Sequence, residues 1–564
     1  MLVLLTILSC DTFKEDFIEP GNQVIFSTTE YYVLPGSPLV IDLESAIKES
    51  YTNTSLTVSE NPKRGTLSKL GTLLLKYYPG HKFLEGEDQF VFSILSNNEV
   101  IATETMRIFI KQDVEELPCP LYAVGDKLHV RPGSTVSVNF LKNDRICEVD
   151  DAQLQISIHM SPRFGEGKLV GDSIIVYTPG PGYLGRDGLV YKLSDSSGEN
   201  FSYGFINISE WDVQFFATPI TPMWDKISPL ISDLTEIFFV NDSTGFLGGY
   251  GIYKTTDGGA TWKESLPITV FSDDANHYSA RAYTDIYFFD ADHGYASYTE
   301  GSCTCSITGL LQTVDGGDTW KDVFFPHDIF FGPTAPVTST FFTSLTTGFV
   351  GVTYPPEDGA DTDLPSHSIR KTDDGGITWK DVLTNEAGFS SLNIRFADSK
   401  TGYAYDNYTM YKTIDGGESW NLAYEKEYIM SLAVTPLNIL SANFTSGSVL
   451  ETSPSTMFQS RDGEAWSPTI NFPYAILEQR FSPNGNIGFA AGVSATDPSF
   501  VAYKIKEQGG SQTLSINRSA DKGATWTEFE TEERLYGYPL SMAIPSDNVA
   551  YVLGFREVIK LTRP

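Results

Sequence analysis

One eight-residue phrase recurs through the C-terminal part of the chain and limits what that part can become. It reads Thr255-Thr-Asp257-Gly-Gly-Ala-Thr-Trp262, Thr313-Val-Asp315-Gly-Gly-Asp-Thr-Trp320, Thr372-Asp-Asp374-Gly-Gly-Ile-Thr-Trp379 and Thr413-Ile-Asp415-Gly-Gly-Glu-Ser-Trp420. Two degenerate copies follow, Ser460-Arg-Asp462-Gly-Glu-Ala-Trp466 and Ser519-Ala-Asp521-Lys-Gly-Ala-Thr-Trp526. Each aspartate is placed to accept the N–H groups of a tight turn, and the glycines supply the positive φ that other residues resist. The tryptophan opens the next strand, with its ring packed between neighbouring sheets. Ahead of each clear copy lie an aromatic-rich strand, a Gly-aromatic strand and an Ile/Leu-x-Lys/Gln-Thr strand, as in Ile237-Phe-Phe, Gly245-Phe-Leu-Gly-Gly and Ile252-Tyr-Lys-Thr. The repeating unit is therefore four short strands, and an array of such units is an all-β, radial architecture.

The ends of the array set its size. Residues 540–564 contain Ala550-Tyr-Val-Leu-Gly554 and Val558-Ile-Lys-Leu-Thr562, the unit without its final turn. Trp211-Asp-Val-Gln-Phe-Phe216 echoes Trp320-Lys-Asp-Val-Phe-Phe325, so the missing fourth strand is expected from the start of the region. This predicts a seven-bladed propeller over 211–564, closed by an N-terminal outer strand that leaves no open sheet edge. The phrase resembles the Asp-box, or BNR, motif, which implies structural roles for the six aspartates and their tryptophans. The region as a whole resembles the photosystem II stability and assembly factor family of propellers. That resemblance implies a non-enzymatic chaperone that binds a membrane protein. Sialidases, xyloglucan hydrolases and sortilin-type receptors share the motif, so the scaffold alone does not fix the function.

All eight tryptophans lie from Trp211 onward, so a different kind of domain precedes them. Residues 24–112 and 117–210 share a signature: Tyr78-Pro-Gly-His-Lys-Phe83-Leu-Glu-Gly86-Glu-Asp88-Gln-Phe90-Val-Phe92 in the first, Tyr177-Thr-Pro179-Gly-Pro-Gly-Tyr183-Leu-Gly185-Arg-Asp187-Gly-Leu189-Val-Tyr191 in the second. The period and strands such as Thr135-Val-Ser-Val-Asn-Phe140 predict two tandem Ig-like β-sandwiches acting as spacers. They resemble bacterial Ig-like or cadherin-like repeats of surface proteins, and Asn143-Asp144 adds to that resemblance. Asp144, Asp150, Asp151 and Asp195 are oxygen donors that would suit calcium, but without a dense ligand loop solvated acids are the expectation. Cys119 and Cys147 fall within one sandwich and could staple its first strand. Cys303 and Cys305, in Gly301-Ser-Cys-Thr-Cys-Ser306, read as a loop disulfide or free thiols, since no further metal ligand adjoins them.

The first ten residues, Met1-Leu-Val-Leu-Leu-Thr-Ile-Leu-Ser-Cys10, form an apolar run ending in a small residue and a cysteine. They resemble a bacterial lipoprotein signal, which implies lipidation of Cys10, a tether over 11–23, and a cell-envelope location facing the periplasm or the outside. Membrane contact is expected through that anchor only. With 39 Lys+Arg against 72 Asp+Glu, the net charge of −33 repels nucleic-acid phosphates, and no nucleic-acid partner is expected.

Function is expected on the rim opposite the repeated turns, where long loops gather. Tyr278, Arg281, Tyr354 and Tyr503 are the candidate contacts for a protein or glycan ligand, since Tyr and Arg are favoured at interfaces. The alternative is a surface glycoside hydrolase, for which Asp273, Asp274, Glu300, Glu357 and Asp358 would have to supply a carboxylate pair. Asp358, Asp361 and Asp363 alternate along one loop, yet the rest of a calcium-loop pattern is missing. No catalytic set, metal site, phosphate loop or dinucleotide fingerprint emerges, and no cofactor is expected.

Overall fold

The computed structural model describes residues 26, 28–46, 53–147, 149, 153–183, 185–198, 200–219, 234–272, 278–300, 307–323, 337–354, 366–385, 392–425, 427–445, 454–495, 512–529, 539–554 and 557–563. The chain divides into two compact units, Met1–Ser209 and Glu210–Pro564.

The first unit is a pair of β-sandwiches. One packs the sheet ordered Glu30–Val33, Glu99–Ile110, Gly86–Ser96, Thr54–Glu60 against Leu39–Asp42, Leu74–Pro79 and Gly65–Lys69, around a core that includes Ile41, Tyr77, Phe90 and Phe92. The other packs Gln155–Met160, Arg186–Ser194, Phe201–Ser209 and Asp126–His129 against Val136–Asn139, Ile174–Pro179 and Gly165–Val170, around Phe140, Tyr177 and Tyr191. The two repeats are built on one device. Asp88 accepts from Lys63 N, Arg64 N, Gln89 N and the Tyr77 hydroxyl at 2.8–2.9 Å. Asp187 accepts from Arg163 N, Phe164 N, Gly188 N and the Tyr177 hydroxyl at the same distances. A buried carboxylate with four donors is well satisfied, and it fixes the corner ahead of the strand that follows.

The two tandem sandwiches are joined by more than sequence. Gly204 of the second sandwich pairs with Leu39 of the first, so one sheet runs through both. The Tyr122 hydroxyl donates to Tyr32 O at 2.6 Å and accepts from Tyr32 N at 2.8 Å, a second link between them. Gly204 is obligatory at this seam, because a Cβ there would stand 2.1 Å from the Tyr191 ring. Cys119 and Cys147 are joined as a disulfide.

The second unit contains, among the described residues, seven four-stranded antiparallel sheets. Blade 1 comprises Leu234–Phe239, Gly245–Gly249, Ile252–Thr255 and Lys263–Leu266; blades 2 to 6 span 282–323, 337–385, 393–425, 428–472 and 476–528. Blade 7 is composite: Ser541–Ser546, Val549–Leu553 and Glu557–Thr562 are completed by Asp212–Ala217, which pairs with Glu557–Thr562 over its whole length. The first strand of each blade abuts the first strand of the next, and blade 7 abuts blade 1, so the ring closes. Between blade 1 and blade 2 lies a separate hairpin, Val270–Ser272 with Tyr278–Ala280.

Five of the six repeated turns adopt one geometry, and the sixth, at Asp462, is one residue shorter. In the turn of blade 3, the Thr372 hydroxyl donates to Asp374 Oδ1 at 2.8 Å, and Thr378 donates to the same carboxylate through its N–H (2.8 Å) and hydroxyl (2.6 Å). The equivalent donors hold Asp257, Asp315 and Asp374 at about 2, well below the usual carboxylate range, and the Ala465 and Glu464 N–H groups with the Ser460 hydroxyl hold Asp462 there as well. The tryptophan after five of the six turns sits edge-on to an aromatic of its own blade, as Trp262 on Phe239, Trp320 on Phe288 and Trp526 on Phe481, at 5.8–6.1 Å.

Candidate functional site

The innermost strands carry an irregularity that the sequence conceals. In blades 1, 2, 3, 5 and 6 the register of the first strand slips by one residue, between Leu234 and Glu236, Tyr283 and Asp285, Val337 and Ser339, Ile429 and Ser431, and Ile476 and Glu478. A β-bulge re-aims the residue that follows it. Here that residue is Glu236, Asp285, Ser339, Ser431 or Glu478 in turn. In three blades it clasps the next blade. Asp285 accepts from Thr340 N, Ser339 Oγ accepts from Ile394 N at 3.1 Å, and Ser431 Oγ donates to Ile476 O at 3.2 Å.

Glu236 and Glu478 carry the same position beyond this clasping role, and two arginines stand nearby. Arg395 donates through Nη1 to Ile394 O at 2.8 Å and Ser339 Oγ at 3.3 Å; Arg480 donates to Gln479 O at 3.1 Å and pairs with Glu478 at 3.0 Å. The five groups sense one another electrostatically. Burial raises the Glu236 carboxyl, Asp285 and Glu478 push it further up, and Arg480 and Arg395 pull it back. Asp285 is raised by burial against the pull of Arg395, the Thr340 N–H and Arg480. Arg480 is held protonated because Glu478, Glu236 and Asp285 outweigh its burial. The inner strands of four blades thus bring three acids and two guanidiniums to one axial cluster. The acids lie near the start of their strands, towards the rim opposite the Asp-centred turns.

None of these five residues was a sequence-level candidate. Their signal is legible once the blades are aligned on the first strand: Thr235-Glu-Ile-Phe-Phe239, Thr284-Asp-Ile-Tyr-Phe288 and Leu477-Glu-Gln-Arg-Phe481 put an acid in the same column.

The expected rim residues fall as follows. Arg281 is committed within the chain: Nε and Nη2 both donate to Glu300 Oε2, at 3.1 and 2.8 Å, and its guanidinium lies 4.0 Å from the Tyr298 ring centre. Tyr298 in turn donates to Asp322 at 2.9 Å. Glu300 is therefore the anchor of Arg281, at the base of the 270–280 hairpin. Tyr278 begins the second strand of that hairpin and Tyr354 ends the second strand of blade 3. Tyr503, Cys10, Cys303, Cys305, Asp273, Asp274, Glu357, Asp358, Asp361 and Asp363 lie outside the described residues, as do Asp150 and Asp151.

Of the acids weighed for calcium, Asp195 caps a hairpin, accepting from Ser197 Oγ, Gly198 N and Asn200 Nδ2 at 2.6–2.8 Å. Asp144 accepts from Val124 N at 2.7 Å and the Tyr191 hydroxyl at 2.9 Å. Burial raises it to about 7, and its neighbour Asp126 is raised to about 8 by burial and by the Asp144 charge. Among the described residues no group of three or more His, Cys, Asp or Glu is placed to hold a metal ion, and no helix is long and apolar enough to cross a membrane.

Fold and site together define a β-propeller preceded by Ig-like sandwiches, with a charged axial cluster. Residues 118–207 match the family described as bacterial Ig domain. A curated relative, the photosystem II assembly lipoprotein Ycf48 of Synechococcus sp. (strain CC9902), is 26% identical over 167 residues, 28% of this chain and 49% of that protein. The chain thus spans about half the length of the curated relative it matches. Among solved structures, YCF48 bound to D1 peptide has 16% identity and a TM-score of 0.41, covering 63% of this chain and 97% of the other. An ancestral GH74 enzyme has 14% identity and a TM-score of 0.39, covering 60% and 45%.

Proposed function

We propose that the chain is a membrane-anchored, extracytoplasmic binding or assembly module, non-enzymatic, whose propeller engages a protein or glycan ligand at its axial mouth. The observation that carries the reading is the cluster of Glu236, Asp285, Arg395, Glu478 and Arg480. Gathering this many partly buried ionisable groups is costly, and most of the ring is held together without them. Such a concentration marks a recognition site more often than a structural one. A polypeptide ligand suits it best, since two guanidiniums and two or three carboxyls together match the mixed polarity of peptide backbone and side chains. The name of the curated relative, an assembly lipoprotein, supports the same pairing of assembly role and lipid anchor. Cys10 is the proposed attachment point, placing the module on the bacterial envelope, facing the periplasm or the outside.

The test is an array of envelope proteins and polysaccharides probed with the full chain, with reducing-sugar release assayed in the same wells. Binding without release, weakened by Glu236→Gln or Arg480→Gln, is the expected result. Sugar release abolished by Glu300→Gln would overturn it in favour of a glycoside hydrolase. Incorporation of labelled palmitate, lost in Cys10→Ala, tests the anchor.

A further inference from the structure

The repeats provide an internal control for the rim that bears the Asp-centred turns. The residue just before the turn aspartate is free to vary: it is Thr256 in blade 1, Asp373 in blade 3, Arg461 in blade 5 and Ala520 in blade 6. In blades 2 and 4 it is Val314 and Ile414, which are 61% and 69% exposed. Three residues after the aspartate, blade 3 carries Ile377, 63% exposed, where blades 1 and 6 carry Ala260 and Ala524. The hairpin joining the first and second strands shares this rim, because Gly316 N donates to Asp292 O, Gly375 N to Thr346 O and Gly416 N to Lys400 O. These hairpins add Phe289, Leu345 and Leu437, the last two at the position of Asp242 in blade 1 and Ser399 in blade 4.

Six of the eight exposed large apolar side chains described in the second unit therefore lie on one rim, all in blades 2 to 5. Neighbouring turns along this arc are tied together. The Tyr295 hydroxyl of blade 2 donates to Gly375 O of blade 3, and the Tyr403 hydroxyl of blade 4 donates to Asn438 Oδ1 beside Leu437. Turn geometry does not require these apolar residues, and solubility opposes them. The surrounding charge is negative. Asp315, Asp374, Asp415 and Asp462 are locked in the ionised form by their turn hydrogen bonds. Of the basic residues on this rim, Lys254 is engaged with Asp318 and both Lys371 and Lys380 with Asp373 and Glu418, while Lys400 and Arg461 are exposed and outnumbered by the acids.

We propose that this acid-rimmed apolar arc docks a basic polypeptide segment that presents apolar side chains. A protein occupant is favoured over an anionic lipid surface, because locked carboxylates attract lysine and arginine and repel lipid phosphates. This goes beyond the axial reading, since the acids of the axial cluster lie towards the opposite rim. One module would then hold two partners, or two parts of one, at once.

The test uses the full chain and two fluorescent synthetic helical peptides, one with Leu and Lys on opposite faces and one with Leu and Glu, read by anisotropy. The Lys/Leu peptide is expected to bind, less tightly as salt rises. A Val314→Thr, Ile377→Thr, Ile414→Thr triple variant, which at 314 and 414 copies the Thr256 solution and melts like wild type, is expected to lose at least about tenfold in affinity. Equal binding by wild type and triple variant overturns the proposal, as does equal affinity for the Glu/Leu peptide. Binding of phosphatidylglycerol vesicles, or self-association that the triple variant abolishes, would assign the arc to a lipid or a second copy and overturn it likewise. Peptide binding lost in Arg480→Gln yet intact in the triple variant would move the peptide to the axial mouth, which also refutes the arc.

Discussion

Glu210 and Arg518 lie 308 residues apart in sequence and form a direct ion pair, Arg518 Nη1 on Glu210 Oε2, while Arg563 holds the other carboxylate oxygen. The pair completes a pattern around the ring. In blades 1, 3, 4 and 5 the residue before the hydroxyl residue of a turn reaches forward to the next blade: Lys254 to Asp318, Lys371 to Glu418, Lys412 to Asp462 O, Gln459 to Lys522 O. Arg518 occupies this position in blade 6, but blade 7 has no Asp-centred turn to receive it. Glu210, immediately before Trp211, stands in for the missing turn, and Lys560 of blade 7 then reaches Gly258 O of blade 1.

Glu210→Gln is accordingly expected to loosen the ring at its closure. Glu210 is only 2% exposed, and its loss removes the carboxylate shared by two largely buried guanidiniums. The expected cost is roughly 3 kcal/mol. It is checked by urea unfolding of the propeller, followed by proteolysis at the 212–217 strand. An unchanged midpoint would mean that backbone pairing with Glu557–Thr562 closes the ring unaided.

The matched networks of Asp88 and Asp187 predict matched penalties. Either residue changed to alanine leaves three N–H donors and a buried tyrosine hydroxyl without their acceptor. Each substitution is expected to cost about 3 to 5 kcal/mol, the range in which buried networks break. Thermal unfolding of the first unit checks it. Since one sheet crosses both sandwiches, either variant should melt them together rather than one at a time.

How far the sequence could be read divides along physical lines. The repeated turns were legible because Asp, Gly and Trp at fixed spacing encode a backbone conformation, and the composite blade because Trp211-Asp-Val-Gln-Phe-Phe216 copies an outer strand. The duplicated signature around Asp88 and Asp187 carried the sandwiches for the same reason. The axial cluster was hidden, because a bulge inserts one residue into an otherwise regular strand and so transfers Glu236, Asp285 and Glu478 out of the alternation that predicts facing. Arg281 reads from sequence as a ligand contact and Glu300 as a candidate catalytic carboxylate; their mutual pairing was hidden, since the two lie 19 residues apart across a blade strand. The fusion of the sandwiches at Gly204 rests on a single residue pair, which no periodicity announces.

A pH dependence follows from Asp126 and Asp144. Both are raised in the folded state, to about 8 and about 7, so the folded chain binds more protons than the unfolded one above the ordinary carboxylate range. Stability contributed here is present at low pH and is lost as pH rises from about 4 towards about 8. Asp126→Asn removes the repulsion and is expected to flatten the profile. Urea midpoints of the first unit at about pH 5 and about pH 9 test it; a wild-type midpoint that rises with pH across this window would sink the assignment.

The last prediction separates backbone strain from packing within a single turn. Gly416 and Gly417 both have φ of +76°, so replacing either by alanine carries the same left-handed penalty, about 1 kcal/mol. Their surroundings differ. A Cβ on Gly416 would meet Ser399 O at 3.2 Å, whereas a Cβ on Gly417 would stand 2.2 Å from the Phe349 ring. Phe349 is fully buried, stacks on Phe396 at 4.7 Å and sits edge-on to Trp420 at 6.3 Å, so the ring has no room to retreat. Gly417→Ala is therefore expected to cost roughly 2 kcal/mol more than Gly416→Ala, the usual penalty for overpacking a filled core. Paired denaturation curves measure the difference directly. A Phe349→Leu background should shrink it by removing the clashing ring edge, while leaving the Gly416→Ala penalty where it was. Equal penalties in the wild-type background would show that the turn, rather than the wedge between blades 3 and 4, sets the requirement for glycine.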